Sequence, residues 1–342
     1  MSFKVTIQPS GHVFTANEKE SVLDAAIRQG INFPYGCRGG SCAGCRGKLL
    51  QGEIRYFFGQ PPGLSPIDVD HGFVLFCQAE ARSDLVIEVR EIASAQEIRV
   101  KNLPCRVEKM ERLAHDVMRL LLKLPTGERM QFFSGQYIEI LMKDGRRRAF
   151  SIANAPHEDN FIELHVRYVA NGDFTEHVFS TMKEKELLRI EGPLGTFYLR
   201  EDSDKPIILM AGGTGFAPVK AILEHAFAEG MTRPIHLYWG ARAKRDLYLD
   251  ALPRQWAQEH SNFTYTPVLS EPMAEDGWQG RTGFVHEAVM ADYATLLGYE
   301  VYACGPPIMV KTGFELFTTQ RGLSVDDYFS DAFEFAKDSK KK

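Results

Sequence analysis

Three patterns of hydrophobic and polar positions follow one another along the chain. In residues 1–92, apolar and polar positions alternate in short runs, and this alternation predicts strands. One run, SVLDAAIRQG, has the spacing of a helix and a stop signal at Gly30. The first pattern therefore predicts a small α+β domain.

The second pattern covers residues 103–202 and consists of short β runs separated by Gly, Asn and Asp. Six runs carry it: PCRVEKMERL, VMRLLLKLP, YIEILM, RRAFSIAN, FIELHVRYV and LLRIEGPLG. They predict an antiparallel six-stranded β-barrel. Residues 93–102 lack a sustained period and precede Pro104, so they are predicted to be a linker.

The third pattern, in residues 203–335, alternates strands with helices. Strand-like runs such as PIILMAGGTG and EVYACGPP are separated by helical runs such as APVKAILEHAFAEG. This alternation predicts a parallel α/β domain. The lysine-rich residues 336–342 are predicted to form a flexible tail. The fold class is therefore multidomain, α+β followed by α/β.

Composition narrows the function classes. The chain has 342 residues, 44% of them hydrophobic, and a formal net charge of −5, which gives no electrostatic basis for nucleic-acid binding. No run of 18 apolar residues predicts a membrane span, and the N-terminus lacks the residue order of a signal peptide. We therefore expect a cytoplasmic protein that does not bind membranes, and a monomer is the simplest interpretation.

Four of the six cysteines lie in the first quarter of the chain. Cys37, Cys42 and Cys45 are followed after 31 residues by Cys77, a spacing typical of a [2Fe–2S] cluster held by four thiolates. The small residues between them would let backbone N–H groups approach the sulfurs. Zinc, free thiols and disulfides are the alternatives, but Cys77 forms no second zinc knuckle and a reducing compartment disfavours disulfides.

The run RRRAFSIAN places a cation, Arg148, two positions before an aromatic residue, Phe150, and a hydroxyl, Ser151, directly after it. Taken alone, this pattern favours an ordinary amphipathic edge strand. Downstream, Gly172 and Thr175 offer bare backbone and a hydroxyl at the start of a predicted helix, which is a natural site for a pyrophosphate.

Two further motifs lie in the third domain. Gly212, Gly213, Thr214 and Gly215 form a glycine-rich turn between a strand and a helix, which suits phosphate binding although it is not G-x-G-x-x-G. Cys304, Gly305 and Pro306 end a predicted strand, where open α/β sheets bind ligands. A ligand-free turn and an ordinary buried cysteine are the alternatives.

Residues 1–92, with PYGCRGGSCAGCRGKLLQGEI and GFVLFCQA, resemble the plant-type ferredoxin family, whose fold is a β-grasp. The ordered motifs around Arg148, Gly212 and Cys304 resemble the ferredoxin–NADP reductase superfamily over about residues 103–335. The whole chain resembles the reductase components of multicomponent oxygenases and is also similar to the reductases that act on CDP-6-deoxy-glucoseen.

The resemblance implies that Cys37, Cys42, Cys45 and Cys77 ligate the cluster and that residues 103–202 bind FAD. Phe150, which replaces the usual tyrosine, would stack on the flavin, Ser151 would bond near its N5, and Arg148 and Thr175 would contact its pyrophosphate. Gly212–Gly215 would hold the nicotinamide dinucleotide's phosphates, and Cys304, with Gly305 and Pro306, would lie beside the nicotinamide. Phe333 or Phe329 would cover the other flavin face.

The donor is predicted to be NADH, with NADPH as the alternative. Arg242 follows the strand where a 2′-phosphate would lie, but GAR followed by DLY resembles the NADH-using relatives. The predicted activity is that of a reductase that takes hydride from NADH onto FAD and passes single electrons through the cluster to a terminal oxygenase, hydroxylase or deoxysugar dehydratase. A free-standing flavin or ferric reductase and a redox-sensing module are the alternatives.

Overall fold

The structure is a computed structural model that describes residues 2–31, 33–36, 38–40, 43–91, 98 and 100–333. Two of the predicted cluster ligands, Cys37 and Cys42, lie outside the described residues, as do the predicted tail and most of the predicted linker. The chain divides into two compact units. Unit 1 contains Met1–Ile98 together with Gly195–Phe197 and Ser330–Glu334, and unit 2 contains the remainder.

Unit 1 is built on a five-stranded mixed sheet with strand order β2-β1-β7-β3-β5. Strands β1 and β7 pair in parallel, and β4 and β6 form a separate two-stranded sheet. The predicted α+β domain is confirmed. Its elements are β1 Ser2–Gln8, β2 Val13–Asn17, α1 Val22–Arg28, β3 Arg46–Gln51, β4 Ile54–Tyr56, α2 Pro66–Asp70, β5 Phe73–Leu75, β6 Ala79–Ala81 and β7 Leu85–Glu88.

Helix α1 has clear start and stop signals. The Ser21 hydroxyl accepts a hydrogen bond from the Asp24 N–H at 3.0 Å, which caps the first turn. The helix ends where Gly30 takes φ +78°, a left-handed conformation that glycine adopts without steric cost. The stop predicted at Gly30 is therefore present in the structure.

The first sheet of unit 2 has six antiparallel strands in the order β11-β10-β13-β8-β9-β12. Its edge strands meet through one isolated bridge, Ile152–Leu164, so the predicted barrel is not closed by a continuous ladder. The first strand begins at Lys101, which lies inside the predicted linker. The elements are β8 Lys101–Ala114, β9 Val117–Lys123, β10 Tyr137–Leu141, β11 Arg147–Ser151, β12 Ile162–Arg167, α3 Asp173–Ser180 and β13 Leu187–Leu194.

The second sheet of unit 2 contains the strands β17-β16-β15-β14-β18 in that order, and the predicted parallel α/β fold is confirmed. The chain proceeds outward from β14 to β17 and returns to the other side of β14 with β18. The two sides of β14 therefore form a topological switch point. The elements are β14 Ile207–Gly212, α4 Phe216–Ala228, β15 Ile235–Ala241, α5 Ala251–Glu259, β16 Phe263–Leu269, β17 Arg281–Thr282, α6 Val285–Asp292, β18 Glu300–Gly305, α7 Pro307–Gln320 and β19 Tyr328–Ala332.

The core of each sheet follows from the sequence pattern. In the first, antiparallel sheet of unit 2, alternate residues such as Val107, Leu120 and Leu122 are fully buried. In the second sheet, β14 and β18 are buried along their whole length, as expected for parallel strands covered on both faces. Across the described ranges, no helix has both the length and the apolar character needed to cross a bilayer.

Candidate cofactor sites

The described residues of the cysteine loop have features that suit it to hold an iron–sulfur cluster. Cys45 and Cys77 are both buried, and the Cys77 N–H donates a hydrogen bond to the Cys45 sulfur at 3.4 Å. An N–H group aimed at sulfur stabilises the negative charge of a metal-bound thiolate. The structure thus brings together two of the four predicted ligands, although their sequence positions are 32 residues apart.

The backbone of this loop turns through left-handed conformations. Arg38, Gly40 and Ala43 have φ values of +53°, +89° and +55°. A Cβ on Gly40 would lie 2.9 Å from the Gln78 side chain, whose amide nitrogen donates to the Arg38 carbonyl at 2.7 Å. A side chain at Gly40 would therefore crowd the loop. Its described residues therefore fit a [2Fe–2S] cluster.

The predicted flavin strand is β11. Arg148 and Phe150 share one face of this strand, since their positions differ by two. The Phe150 ring is half-buried against the Phe174 ring, with centroids 5.3 Å apart, and Ser151 is buried. Burial lowers the pKa of Arg148, with a smaller contribution from the neighbouring charge of Arg146. A phosphate beside Arg148 would offset that cost, so the strand fits an anionic flavin cofactor.

The segment at the start of α3 is held by its own side chains. The Thr175 hydroxyl lies within hydrogen-bond distance of the Val169 N–H and of the Val169 and Gly172 carbonyls, at 3.0–3.1 Å. A Cβ on Gly172 would come within 2.9 Å of the same hydroxyl. Thr175 therefore closes the loop before α3, and its contact with a pyrophosphate stays a prediction.

The two nucleotide motifs meet at the switch point. Strands β14 and β18 place Ala211 beside Cys304, and a Cβ on Gly215 would clash with the Cys304 carbonyl oxygen. A Cβ on Gly305 would lie 2.8 Å from the Gly212 carbonyl oxygen. The close approach therefore requires glycine at both positions. It leaves the turn and the buried Cys304 at the carboxyl edge of the sheet, where α/β folds bind nucleotides.

Trp239 forms a hydrogen bond to the glycine turn, and the sequence did not predict this contact. Its indole N–H donates to the Gly213 carbonyl at 2.9 Å, and its ring stacks on Phe216 with centroids 4.0 Å apart. Gly213 has φ +55°, so its carbonyl direction depends on a conformation that a hydrogen bond helps to hold. The signal in the sequence is the tryptophan in the strand that follows the glycine turn.

We expect Trp239→Phe to raise the KM for NADH by about fivefold, because a buried hydrogen bond contributes about 1 kcal/mol and the Gly213 carbonyl would keep only the backbone N–H of Phe216. The aromatic stack on Phe216 remains. Steady-state kinetics would measure this change, and the flavin absorbance per chain should not alter. Trp256→Phe is the control, since Trp256 packs on the rings of Phe216, Phe227 and Phe263, whereas the bond to the Gly213 carbonyl comes from Trp239. An unchanged KM in the Trp239 variant would refute a role for this bond.

Arg167 is a second residue that no motif in the sequence indicates. It ends β12, and a Cβ on Gly213 would lie 2.5 Å from its Nη1 atom. Its Nε lies 3.1 Å from an Asp116 carboxylate oxygen but is not aligned for a hydrogen bond, and its Nη2 is likewise buried without a hydrogen-bond partner among the described residues. A half-buried guanidinium beside the glycine turn fits the negative charge of a dinucleotide.

A buried polar network lies between β12 and the segment after β15. The His165 ring is within 2.8 Å of a Glu163 carboxylate oxygen and 3.0 Å of the Tyr248 hydroxyl. Burial lowers the pKa of His165 below its usual value, so the imidazole is neutral at pH 7. Nearby, the Lys220 ammonium donates to the Ala153 carbonyl at 3.0 Å. Within unit 2, these bonds fix the first, antiparallel sheet to elements that surround the second, parallel sheet.

The C-terminal aromatic residues are placed differently from one another. Phe329 stacks on Tyr302 with centroids 4.8 Å apart, and the Arg200 guanidinium lies 4.5 Å from the Phe329 ring centroid. Phe329 is therefore part of the packing of unit 2. Phe333 is half-buried and belongs to unit 1, and its contact with a flavin stays a prediction.

Arg242 projects from the end of β15 with 63% of its side chain exposed. Its Nε atom lies 3.4 Å from an Asp246 carboxylate oxygen. The guanidinium charge is thus partly offset by a carboxylate, which lowers its attraction for a 2′-phosphate.

Three protein-family descriptions match successive parts of the chain. The 2Fe-2S iron-sulfur cluster binding domain matches residues 5–82, the oxidoreductase FAD-binding domain matches residues 104–198, and the oxidoreductase NAD-binding domain matches residues 209–313. Their order is the order of the three sequence patterns.

Full-length relatives carry the same arrangement. The CDP-6-deoxy-L-threo-D-glycero-4-hexulose-3-dehydrase reductase of Yersinia pestis is 40% identical, over 97% of this chain and 99% of its own. The phenol hydroxylase P5 protein of Acinetobacter pittii is 35% identical, over 99% and 96%. Among solved structures, the Amycolatopsis cytochrome P450 reductase GcoB is 32% identical, with a TM-score of 0.77 over 97% of this chain and 98% of that one.

The fold and sites define an NAD(P)H-dependent oxidoreductase that uses a [2Fe–2S] cluster, FAD and NAD(H) for electron transfer. The chain belongs to the family of iron–sulfur flavoprotein reductases within the ferredoxin–NAD(P) reductase superfamily. The predicted cofactors and enzyme class are thereby confirmed.

Proposed function

We propose that this reductase draws electrons from NADH and delivers them singly to a separate acceptor protein. The contact of the glycine turn with Cys304, in one chain with a ferredoxin-type cysteine loop, carries the proposal. When bound, FAD accepts hydride from the nicotinamide and gives up single electrons, which the cluster carries one at a time.

The residues of this chain bind and orient; they need not move a proton at the nicotinamide. Gly212–Gly215 present backbone N–H groups at the start of α4, and Arg167 adds a half-buried positive charge beside them. Cys304, predicted to lie beside the nicotinamide, and Ser151, predicted to bond near the flavin N5, are both buried, so each would help to exclude water from the reacting atoms. Phe150 would supply an aromatic face for the flavin, and Arg148 a cation for its phosphates.

The proposed donor is NADH. Arg242 is mostly exposed and has a carboxylate beside it, so its contribution to binding a 2′-phosphate is screened. We expect NADH to be preferred over NADPH, and Arg242→Ala to change kcat/KM for either nucleotide by less than about threefold, as for one exposed ion pair. Steady-state kinetics with both donors would measure this. A variant that keeps NADH turnover but loses NADPH turnover would contradict the proposed preference.

Two classes of acceptor are supported. The predicted acceptor is a terminal oxygenase or hydroxylase, as for the phenol hydroxylase P5 protein, which is 35% identical. The second candidate is a deoxysugar dehydratase, and the higher identity, 40% with the Yersinia dehydrase reductase, favours it. Reconstitution with one purified acceptor of each class would decide, because only the true pair should couple NADH oxidation to product formation.

The basic residues around the cluster loop give little support to charge-guided docking. Arg38, Arg46 and Arg55 form ion pairs with Asp24, Asp68 and Glu80, respectively. Because these charges are offset within the domain, we propose that shape and apolar contact dominate acceptor recognition. Transfer rates that fall steeply with salt would contradict this.

An anaerobic optical titration tests the relay as a whole. One equivalent of NADH should bleach both the flavin bands and the cluster shoulder of the purified protein. A spectrum without cluster bands, or one that neither NADH nor NADPH bleaches, would overturn the proposal. Flavin bleaching without cluster bleaching would instead indicate a free-standing flavin reductase.

A further inference from the structure

Two turns of unit 2 bring together three side chains of the kinds that bind metals. His115 and Asp116 form the two-residue turn between β8 and β9, and Asp246 closes the helical turn Lys244–Asp246 that follows β15. The His115 ring nitrogen and one carboxylate oxygen of each aspartate all lie within 4.8 Å of one another. Of the three residues, Asp246 alone enters the proposed relay, through its ion pair with Arg242.

Asp246 presents a buried oxygen that has no hydrogen-bond partner within the described part of the chain. The residue is only 3% exposed, and its Oδ2 atom accepts a hydrogen bond from the Ala243 N–H at 3.3 Å. Its Oδ1 atom is the buried oxygen that is left over. A buried carboxylate oxygen in this state is costly, so a ligand at that position would stabilise the fold.

The two carboxylate oxygens of Asp116 also differ in their surroundings. Its Oδ2 atom lies 3.1 Å from Arg167 Nε, whereas its Oδ1 atom is buried with no hydrogen-bond partner among the described residues. Each aspartate therefore has one oxygen engaged and one oxygen directed towards His115.

The distances suit an ion between these atoms better than a direct contact. The Nε2 atom of His115 lies 3.7 Å from Asp116 Oδ1 and 3.7 Å from Asp246 Oδ1, beyond hydrogen-bond range. Two ligands bound at about 2.1 Å to a tetrahedral ion are about 3.4 Å apart, so small side-chain shifts would complete the coordination.

We propose that His115 Nε2, Asp116 Oδ1 and Asp246 Oδ1 bind one divalent transition cation of the zinc type, with water in the remaining position. One imidazole and two carboxylates form a donor set that such ions accept. Arg167 and Arg242 offset the negative charge of the two aspartates. The expected affinity for zinc is therefore micromolar, weaker than that of a structural zinc site with four protein ligands. The ion would tie the β8–β9 turn to the turn after β15.

Zinc titration of the oxidised holoenzyme tests the site, because cluster iron then occupies the four ligand cysteines. Calorimetry should show one micromolar site in the wild type that weakens on the order of 10- to 100-fold in His115→Ala. His12→Ala is the matched control, since His12 is exposed and lies 2.8 Å from a single carboxylate, that of Glu91, among the described residues. Identical isotherms for the wild type and His115→Ala, or no micromolar zinc binding by the wild type, would overturn the proposal.

X-ray absorption at the zinc edge gives a second measurement that does not depend on activity. With one equivalent bound, the first shell should contain only nitrogen and oxygen at about 2.0–2.2 Å. Scattering from sulfur at about 2.3 Å would place the zinc on cysteine and reject the assigned site.

Discussion

Cys45→Ser should lower NADH-dependent reduction of cytochrome c by at least about 100-fold while reduction of ferricyanide changes by less than about threefold. Cys45 is a predicted cluster ligand, and its sulfur accepts the Cys77 N–H. Without the thiolate the cluster is lost or altered, because thiolate is the ligand that iron–sulfur centres require. Ferricyanide draws electrons from flavin directly, so the hydride step is preserved.

Cys105→Ser is the matched control for that experiment. Cys105 is also a buried cysteine, but it lies in β8, and burial raises the pKa of its thiol to about 12. Its thiol is therefore protonated at neutral pH and unsuited to bind iron. Both activities should stay near wild type. Cytochrome c reduction that survives Cys45→Ser would show that electrons bypass the cluster. Iron content and the visible spectrum would record cluster loss independently.

Gly215→Ala should lower the rate of NADH-dependent flavin bleaching by about 100-fold while flavin and iron content remain unchanged. The added methyl group would clash with the Cys304 carbonyl, so the glycine turn and the end of β18 must separate. A displacement of about 1 Å at a reacting centre is enough for a loss of this size. Stopped-flow measurement of flavin absorbance under anaerobic conditions would give the rate.

Gly230→Asn is the control at the other end of the same helix. Gly230 follows α4 with φ +66°, and a Cβ there meets nothing within 4 Å. Asparagine tolerates this conformation, so the rate should stay within about twofold. Thermal unfolding of both variants separates a local effect from a loss of folding. A Gly215→Ala enzyme that bleaches at the normal rate would refute the requirement for this close contact.

The sequence predicted those parts of the molecule that local patterns specify. Alternating residues identified the strands of the antiparallel sheet in unit 2, and the run PIILMAGGTG identified β14 and its turn. Cysteine spacing predicted the [2Fe–2S] cluster, which the family match confirms, and the structure brings together Cys45 and Cys77, two of the four predicted ligands. Chemistry carried by a short contiguous stretch can therefore be predicted from the order of residues alone.

Contacts between distant segments cannot be predicted in this way. The bond from Trp239 to Gly213 and the approach of Arg167 to the same turn join three elements, and no spacing in the chain encodes them. The barrel prediction was right about the number of antiparallel strands but not about closure, because the alternating pattern does not indicate whether the two edge strands pair. Helices α5 and α6 were not predicted, because they are short and only a few of their residues are buried.

Unit 1 is not a contiguous piece of the chain. Gly195–Phe197 and Ser330–Glu334 belong to it, and the Thr196 hydroxyl bonds to the backbone N–H and carbonyl of Tyr35, at 2.5 and 2.8 Å. Tyr35 lies two positions before Cys37, the first predicted cluster ligand. A ferredoxin fragment cut at residue 92 would lose this anchor. A chimera would keep it only if the imported reductase half carries a hydroxyl at the position of Thr196.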